Sequence, residues 1–218
     1  MARTITVKGI GKASAKPDYV ELSMTLESKH EDYETAMNMA GEQIQRLNQT
    51  LEAVGFEKGS AKTTNFNVRT DYDRVKDRYG NYTSVFCGYE VTHRLKLAFD
   101  FELGKLSEAL SAIAGSLSDP QLSVAFTVKD ATAVNEEMLR SAAVNARRKA
   151  EILCAASGAK LGELVAIDYN WSELDIYSHT RFCCSEDVGV SKMKTASIDI
   201  DPEDIDVCDT ATFVWALA

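Results

Sequence analysis

Only three prolines occur in 218 residues, and no Pro-rich or low-complexity stretch offers itself as a linker. Long apolar runs are missing too. Nothing approaches the ~18 consecutive apolar residues of a transmembrane helix, and the longest stretches, such as Phe213–Ala218, are short. The opening Met1–Asp18 holds no apolar h-region and no cleavage site, so the expected location is the cytoplasm. An exported protein trimmed of its signal would read the same. Basic residues are outnumbered: 24 Lys plus Arg stand against 33 Asp plus Glu, a formal net charge of −9. A general nucleic-acid binder needs clustered cations to neutralise phosphates, and an anionic membrane surface attracts the same residues. Neither partner suits this chain. The cysteines, Cys87, Cys154, Cys183, Cys184 and Cys208, are odd in number and irregular in spacing. They suit a reducing compartment better than a disulfide framework.

What is present is an ordinary globular composition, 45% apolar and 26% charged, enough for a sizeable core. Thr4–Ile10 alternates as a strand, and Gly9 and Gly11 mark a bend after it. A second strand opens at Pro17-Asp18, with Val20, Leu22, Met24 and Leu26 on one face. The period then lengthens. Ala36, Ala40, Ile44, Leu47, Leu51 and Val54 predict an amphipathic helix over about Glu31–Val54, with Gly55 as its stop. A strand is predicted at Ala61–Thr70, and the polar segment Asp71–Tyr82 reads as a hairpin loop. Gly88–Phe101 is the clearest strand, with Tyr89, Val91, His93, Leu95, Leu97 and Phe99 on one side and Glu90, Thr92, Arg94 and Lys96 on the other.

A second helix follows at about Glu102–Leu117 and a strand at Gln121–Lys129. Asp130 has the character of an N-cap. It opens a third helix to about Ser157, with Val134, Met138, Ala142, Ala146, Ala150 and Leu153 inward and Gly158 as the stop. Glu163–Trp171 reads as a strand, Ser172–Ser191 as an irregular connection, and Met193–Ile200 and Asp206–Leu217 as final strands. The class is therefore α+β. An antiparallel sheet covered by long helices is expected, with a β-α-β-β-α-β, ferredoxin-like core extended by a third helix and C-terminal strands. With no clean linker, residues 1–218 are taken as one composite domain.

Motifs that could carry chemistry mostly fail on spacing. Gly9-Ile10-Gly11-Lys12 lacks the earlier Gly and the following Ser or Thr of a phosphate-binding loop, since Thr6 and Ala13 stand there. The glycines are read as backbone devices. The acidic run Asp199, Asp201, Glu203, Asp204, Asp206 and Asp209 does not place Gly and Glu where a calcium loop needs them. His179, Cys183 and Cys184 lack the paired spacing of a zinc site. His93 sits alone among apolar residues, and Arg147-Arg148-Lys149 reads as a solvated helical cluster. No catalytic, cofactor-binding or metal-binding set emerges.

The arrangement nevertheless resembles a known family. Val7-x-Gly9-x-Gly11 followed by Pro17-Asp18 is similar to the opening signature of the SIMPL-domain family. Leu51 with Gly55, Thr63-Thr64, Gly88-Tyr89, and the set Ala142, Ala146, Lys149-Ala150, Leu153, Gly158 and Leu161-Gly162 resemble its later marks, as does the closing strand Val207–Leu217. The resemblance implies no accepted catalytic residues. It implies bacterial relatives often exported and linked to stress defence, an animal relative associated with a signalling kinase, and ring-like self-assembly within the family. The reading that follows is a non-enzymatic self-assembling or partner-binding protein, a homo-oligomer with a possible further protein partner. The alternative is a small-molecule or redox enzyme with a cleft near His93 or Cys183/Cys184. The terminal strand, with Phe213, Trp215 and Leu217 on one side, is the expected edge for self-association, the alternative being an inner strand with these aromatics in the monomer core.

Overall fold

The computed structural model describes residues 3–76, 81–116, 121–169, 175–184 and 200–218. In chain order these form β1 (Thr4–Ala15), β2 (Tyr19–His30), α1 (Tyr33–Ala53), β3 (Lys62–Lys76), β4 (Tyr82–Asp100), α2 (Leu103–Ser116), β5 (Gln121–Thr127), α3 (Ala131–Ser157), β6 (Leu161–Asp168), β7 (Tyr177–Cys184) and β8 (Ile205–Leu217). The α+β class holds. The strands divide into a three-stranded sheet, β1-β8-β6, and a five-stranded sheet, β3-β4-β2-β5-β7. Two strands of the C-terminal extension, β6 and β8, therefore join the N-terminal β1 in a second sheet, and the third, β7, adds to the first. The chain likewise splits into two compact units, Met1–Asp18 with Thr127–His179 and Pro202–Ala218, and Tyr19–Phe126 with Thr180–Asp201.

In the second unit, β2-α1-β3-β4-α2-β5 follows the ferredoxin-like order, and its strands lie as β3-β4-β2-β5, as that split βαβ topology demands. The alternating face of β2 supplies Val20, Leu22, Met24 and Leu26, which pack with Leu95, Leu97 and Phe99 of β4, Leu47 and Leu51 of α1, and Leu106, Leu110 and Ile113 of α2. Helix α1 is started by Asp32, whose carboxylate accepts from Thr35 N at 2.9 Å, and Gly55 follows its last turn in a left-handed conformation.

In the first unit, Asp130 caps α3 by accepting from Thr132 N at 2.9 Å, and Gly158 ends it. The buried stripe of α3 steps by four through Val134, Met138, Ala142, Ala146, Ala150 and Cys154. Leu153, expected inward, is exposed, because the four-residue step carries the stripe to Cys154 instead. That stripe lies against β1 and β8. The expected bend at Gly9 and Gly11 is not there. β1 pairs with β8 residue for residue from Thr4↔Ala216 to Ala15↔Ile205, with no slip. The glycines serve the approach of α3 instead. A Cβ on Gly9 would sit 2.3 Å from the Ala142 carbonyl oxygen, and one on Gly11 2.2 Å from that of Met138.

Four other expectations are corrected. The terminal strand β8 is the centre of its sheet, between β1 and β6, and not an edge. Trp215 is 6% exposed and stacks on Phe213 at 5.6 Å, packed with Val7, Ala146 and Ala150. Apolar alternation looks alike on an inner strand and on an edge, so the pairing decided it. Asp71–Lys76, read as loop, continues β3 as strand, and β4 starts at Tyr82, six residues before Gly88. The supposedly irregular Ser172–Ser191 contains β7, and the predicted strand Met193–Ile200 lies outside the described residues except for Ile200.

The glycine contacts generate a direct test. Gly9→Ala should lower the unfolding free energy by at least about 1–3 kcal/mol, the ordinary cost of overpacking. Urea unfolding reads this as a lower midpoint with an unchanged slope, whereas an unchanged midpoint would show that α3 has room to retreat.

Candidate functional site

The strongest feature of the second unit outside its core is a two-stranded ribbon. β2 ends at His30, opposite Tyr89 of β4. β3 and β4 continue past that point and pair with each other from Asp71↔Gly88 to Lys76↔Tyr82. No third strand accompanies them among the described residues. A register shift between Asp71 and Tyr72 leaves Cys87 without an opposite residue, a bulge that re-aims the ribbon. Gly88 makes the turn-off possible. Its φ is +136°, and a Cβ there would meet the His30 carbonyl oxygen at 2.4 Å.

One face of the ribbon is an aromatic ladder. Tyr33 at the start of α1 meets Tyr89 edge-on at 5.4 Å, Tyr89 meets Phe86 at 5.4 Å, and Phe86 meets Tyr72 at 5.7 Å. Each such pair is worth ~0.5–1.5 kcal/mol beyond its buried area. Farther out, the Lys76 ammonium lies 5.8 Å from the centre of the Tyr82 ring. Tyr72 is 55% exposed and Phe86 45%, and Val75 and Val85 are exposed on the opposite face. A two-stranded hairpin is marginally stable in water, so the ladder and the foot of the ribbon must hold it.

The foot is ionic. Glu90, assigned by alternation to the polar face of β4, is only 2% exposed. Its carboxylate lies 2.6 Å from Arg69 Nη2 of β3 and 2.9 Å from Lys29 Nζ of β2, and Lys29 also reaches Asp71 at 3.7 Å. One buried acid thus ties three neighbouring strands where regular pairing with β2 stops. The Lys29 hydrogen bond, with the Lys29 and Arg69 charges, holds the Glu90 carboxyl below its usual range against the opposing effect of burial. The same bond raises Lys29. Sequence reading missed Glu90. Its signal was an acid directly opposite Lys29 and Arg69 on both neighbours, which requires the register to be known.

The residues singled out from sequence are scattered. His93 of β4 is half-buried. Its Nε2 lies 2.7 Å from Thr63 Oγ1, and its ring meets Phe66 edge-on at 5.1 Å. Burial lowers its pKa, so the imidazole is neutral at neutral pH. Among the described residues, no group hydrogen-bonds its other ring nitrogen. His179 is exposed on β7, and the side chains of Cys183 and Cys184 lie outside the described residues. Of the acidic run, Asp199 lies outside them as well, while Asp201, Glu203, Asp204 and Asp206 are exposed. No group of three metal-ligating side chains forms among the described residues.

The basic cluster is not uniformly solvated. Arg147 pairs with Glu151 at 3.0 Å, but Lys149 Nζ donates to the Lys8 carbonyl at 3.1 Å. A hollow of about 490 Å³ lies along β1 and β8, between Lys12 and Cys208, which face each other in register.

The Glu90 pairing makes stability depend on pH with a definite sign. A carboxyl lowered by folding stabilises the native state above its unfolded value of 4.5, and the contribution is lost as pH falls through the lower folded value. At pH 7, Glu90→Gln should therefore be less stable than the parent protein. The gap should shrink steadily below pH 4.5 and close in stronger acid. Urea unfolding at several pH values measures it, and a gap independent of pH would show that charge is not what Glu90 contributes.

The chain matches a family model across residues 5–215, nearly its full length. No curated protein matches it. The marks that carried the resemblance now have places: Gly9 and Gly11 under Ala142 and Ala146, Lys149 on β1, and Gly88-Tyr89 at the turn-off of the ribbon. The chain belongs to the SIMPL family, whose description is "protein of unknown function (DUF541)".

Proposed function

We propose that the protein is a non-enzymatic, self-assembling binding protein whose contact element is the β3–β4 ribbon. The observation that carries this reading is the aromatic ladder left half in solvent on strands that no third strand covers among the described residues. Exposed aromatic surface of this kind is suited to bury against protein, and rigid rings lose little entropy on contact. No third strand pairs with either outer edge of the ribbon among the described residues, and a strand of another chain can add there. Self-assembly is what the family likeness implies, and a further protein partner could use the same face. A role in stress defence would suit a protein that acts by holding others.

The competing reading, an enzyme at His93, has one contact in its favour, the Thr63 hydroxyl. Catalysis would need further converging groups.

A photo-reactive phenylalanine analogue at Tyr82 tests the ribbon. Purified protein at micromolar concentration should give, on illumination, products at multiples of 24.0 kDa, cross-linked to a second copy. Combining Tyr72→Ser with Phe86→Ser should abolish these products. It should shift the unfolding free energy little beyond the ~0.5 kcal/mol usual for exposed sites plus the lost ring pairs. No cross-linked product would defeat self-assembly through the ribbon, and products indifferent to the two substitutions would defeat the aromatic face as its contact.

A further inference from the structure

The basic cluster on α3 points three ways, and only one of its members is left without a partner. Arg147 pairs with Glu151 at 3.0 Å, and Lys149 Nζ donates to the Lys8 carbonyl at 3.1 Å. Arg148 is exposed and makes no hydrogen bond or ion pair among the described residues. It lines a hollow of about 380 Å³ on the flank of α3, together with Glu137, Arg140, Ser141, Val144 and Asn145. These residues recur at steps of three and four, so they share one side of the helix.

The contact of α3 with the edge of β1 fixes what two of them can offer. Ile10 N donates to Asn145 Oδ1 at 3.0 Å, and Lys12 N donates to Ser141 Oγ at 3.2 Å. An amide whose oxygen is taken has its NH2 end left to give, and a hydroxyl that accepts from an N–H keeps its own proton to donate. Neither proton source finds a protein acceptor among the described residues. β1 thus turns Asn145 and Ser141 into donors on the lining of the hollow. Arg140 and Arg148 flank them, eight residues and so about 12 Å of helix rise apart. Glu137 is the one acid in the lining. It balances Arg140 at 3.6 Å, which leaves one guanidinium in excess.

We propose that this hollow binds a diphosphate group. Its free polar groups are donors, two of the four side chains that supply them carry positive charge, and guanidinium with neutral N–H and O–H is the set that phosphate oxygens take. The donors are strung along the helix over more length than one tetrahedral anion engages, which favours linked phosphates over a single one. The strand beside the hollow does not oppose an anion. Residues 1–17 hold Arg3, Lys8, Lys12 and Lys16 and no Asp or Glu, in a chain whose net charge is −9. Val144, 64% exposed, adds an apolar wall suited to the organic part of a phosphate ester. Inorganic pyrophosphate and a nucleoside diphosphate share the recognised group. The site is independent of the β3–β4 ribbon, which belongs to the other unit.

Isothermal titration calorimetry on the full chain, at about 0.1 M salt, tests this with pyrophosphate, orthophosphate and ADP. Pyrophosphate should bind with a dissociation constant below about 1 mM, and orthophosphate about tenfold more weakly. Arg148→Glu should weaken pyrophosphate by about tenfold or more, whereas Glu137→Gln, which removes the competing carboxylate, should tighten it. Asn145→Asp is the sharpest variant. It keeps an oxygen for Ile10 N and puts a second oxygen where the NH2 stood. Pyrophosphate binding should be lost while the Ile10 amide still exchanges slowly with solvent. ADP binding more tightly than pyrophosphate would show the organic part held against Val144, and equal affinity would assign the site to the diphosphate alone. No heat from either diphosphate overturns the proposal. So does orthophosphate binding as tightly as pyrophosphate, or binding that Arg148→Glu and Asn145→Asp leave unchanged.

Discussion

The seam between α3 and β1 sets the geometry of the first unit. Gly9 and Gly11 leave no side chain on the face that α3 approaches, and the helix answers with alanine at 142, 146 and 150. Ordinary side chains on either partner would push the helix away by the width of a methyl group or more. At the closer distance, the small polar side chains of Ser141 and Asn145 and the ammonium of Lys149 reach the backbone of β1. Burial and edge satisfaction thus come from one helix at one separation. Because β1 pairs with β8 along its whole length, the seam also fixes the last strand, and Phe213 and Trp215 stack beneath the same alanines. These bonds lie in exposed surroundings, where each contributes about 0.5–1.5 kcal/mol net, so the helix and the edge are linked energetically as well as in space.

The second unit meets a related problem differently. Its core is a regular helix-covered sheet, but β3 and β4 outrun β2. Where the third strand stops, Glu90 gathers Lys29 and Arg69 from the strands on either side. A nearly buried carboxylate is costly unless paired, and here the cations that pair with it are themselves more than half exposed. The arrangement fixes the register of three strands at the point where the ribbon leaves them. The aromatic ladder carries that order outward to Tyr72. The ribbon extends two strands beyond the sheet that anchors them, and no third strand pairs with it among the described residues.

The parts of this architecture legible in the sequence are those encoded over short distances. Asp130 and Gly158 bracket α3 because capping depends on the few residues beside them, and β2 declares its buried face through strict alternation. The β-α-β-β-α-β order follows from such local signals in sequence. Whether β8 is central or marginal could not be read, because strand order depends on contacts across the whole chain and an inner strand has the same apolar alternation as an edge. Asp71–Lys76 looked like loop because a ribbon with both faces in water takes polar residues and keeps strand geometry all the same. Glu90 was hidden for a third reason. Its burial comes from the long side chains of cross-strand neighbours and not from anything near it in sequence. Gly9 and Gly11 were recognised as backbone devices, but their purpose appears only with α3, more than 120 residues away, laid over them.

If α3 seals β1 as described, the amides of Ile10 and Lys12 should behave unlike those of an open edge. Amide hydrogen exchange followed by NMR reads each one directly. In the intact protein both should exchange slowly, with protection approaching that of the amides inside the sheet. Ser141→Ala should accelerate Lys12 selectively, and Asn145→Ala should accelerate Ile10, with the core of the sheet unaffected. Fast exchange of both amides in the parent protein, or protection that neither substitution disturbs, would contradict the account.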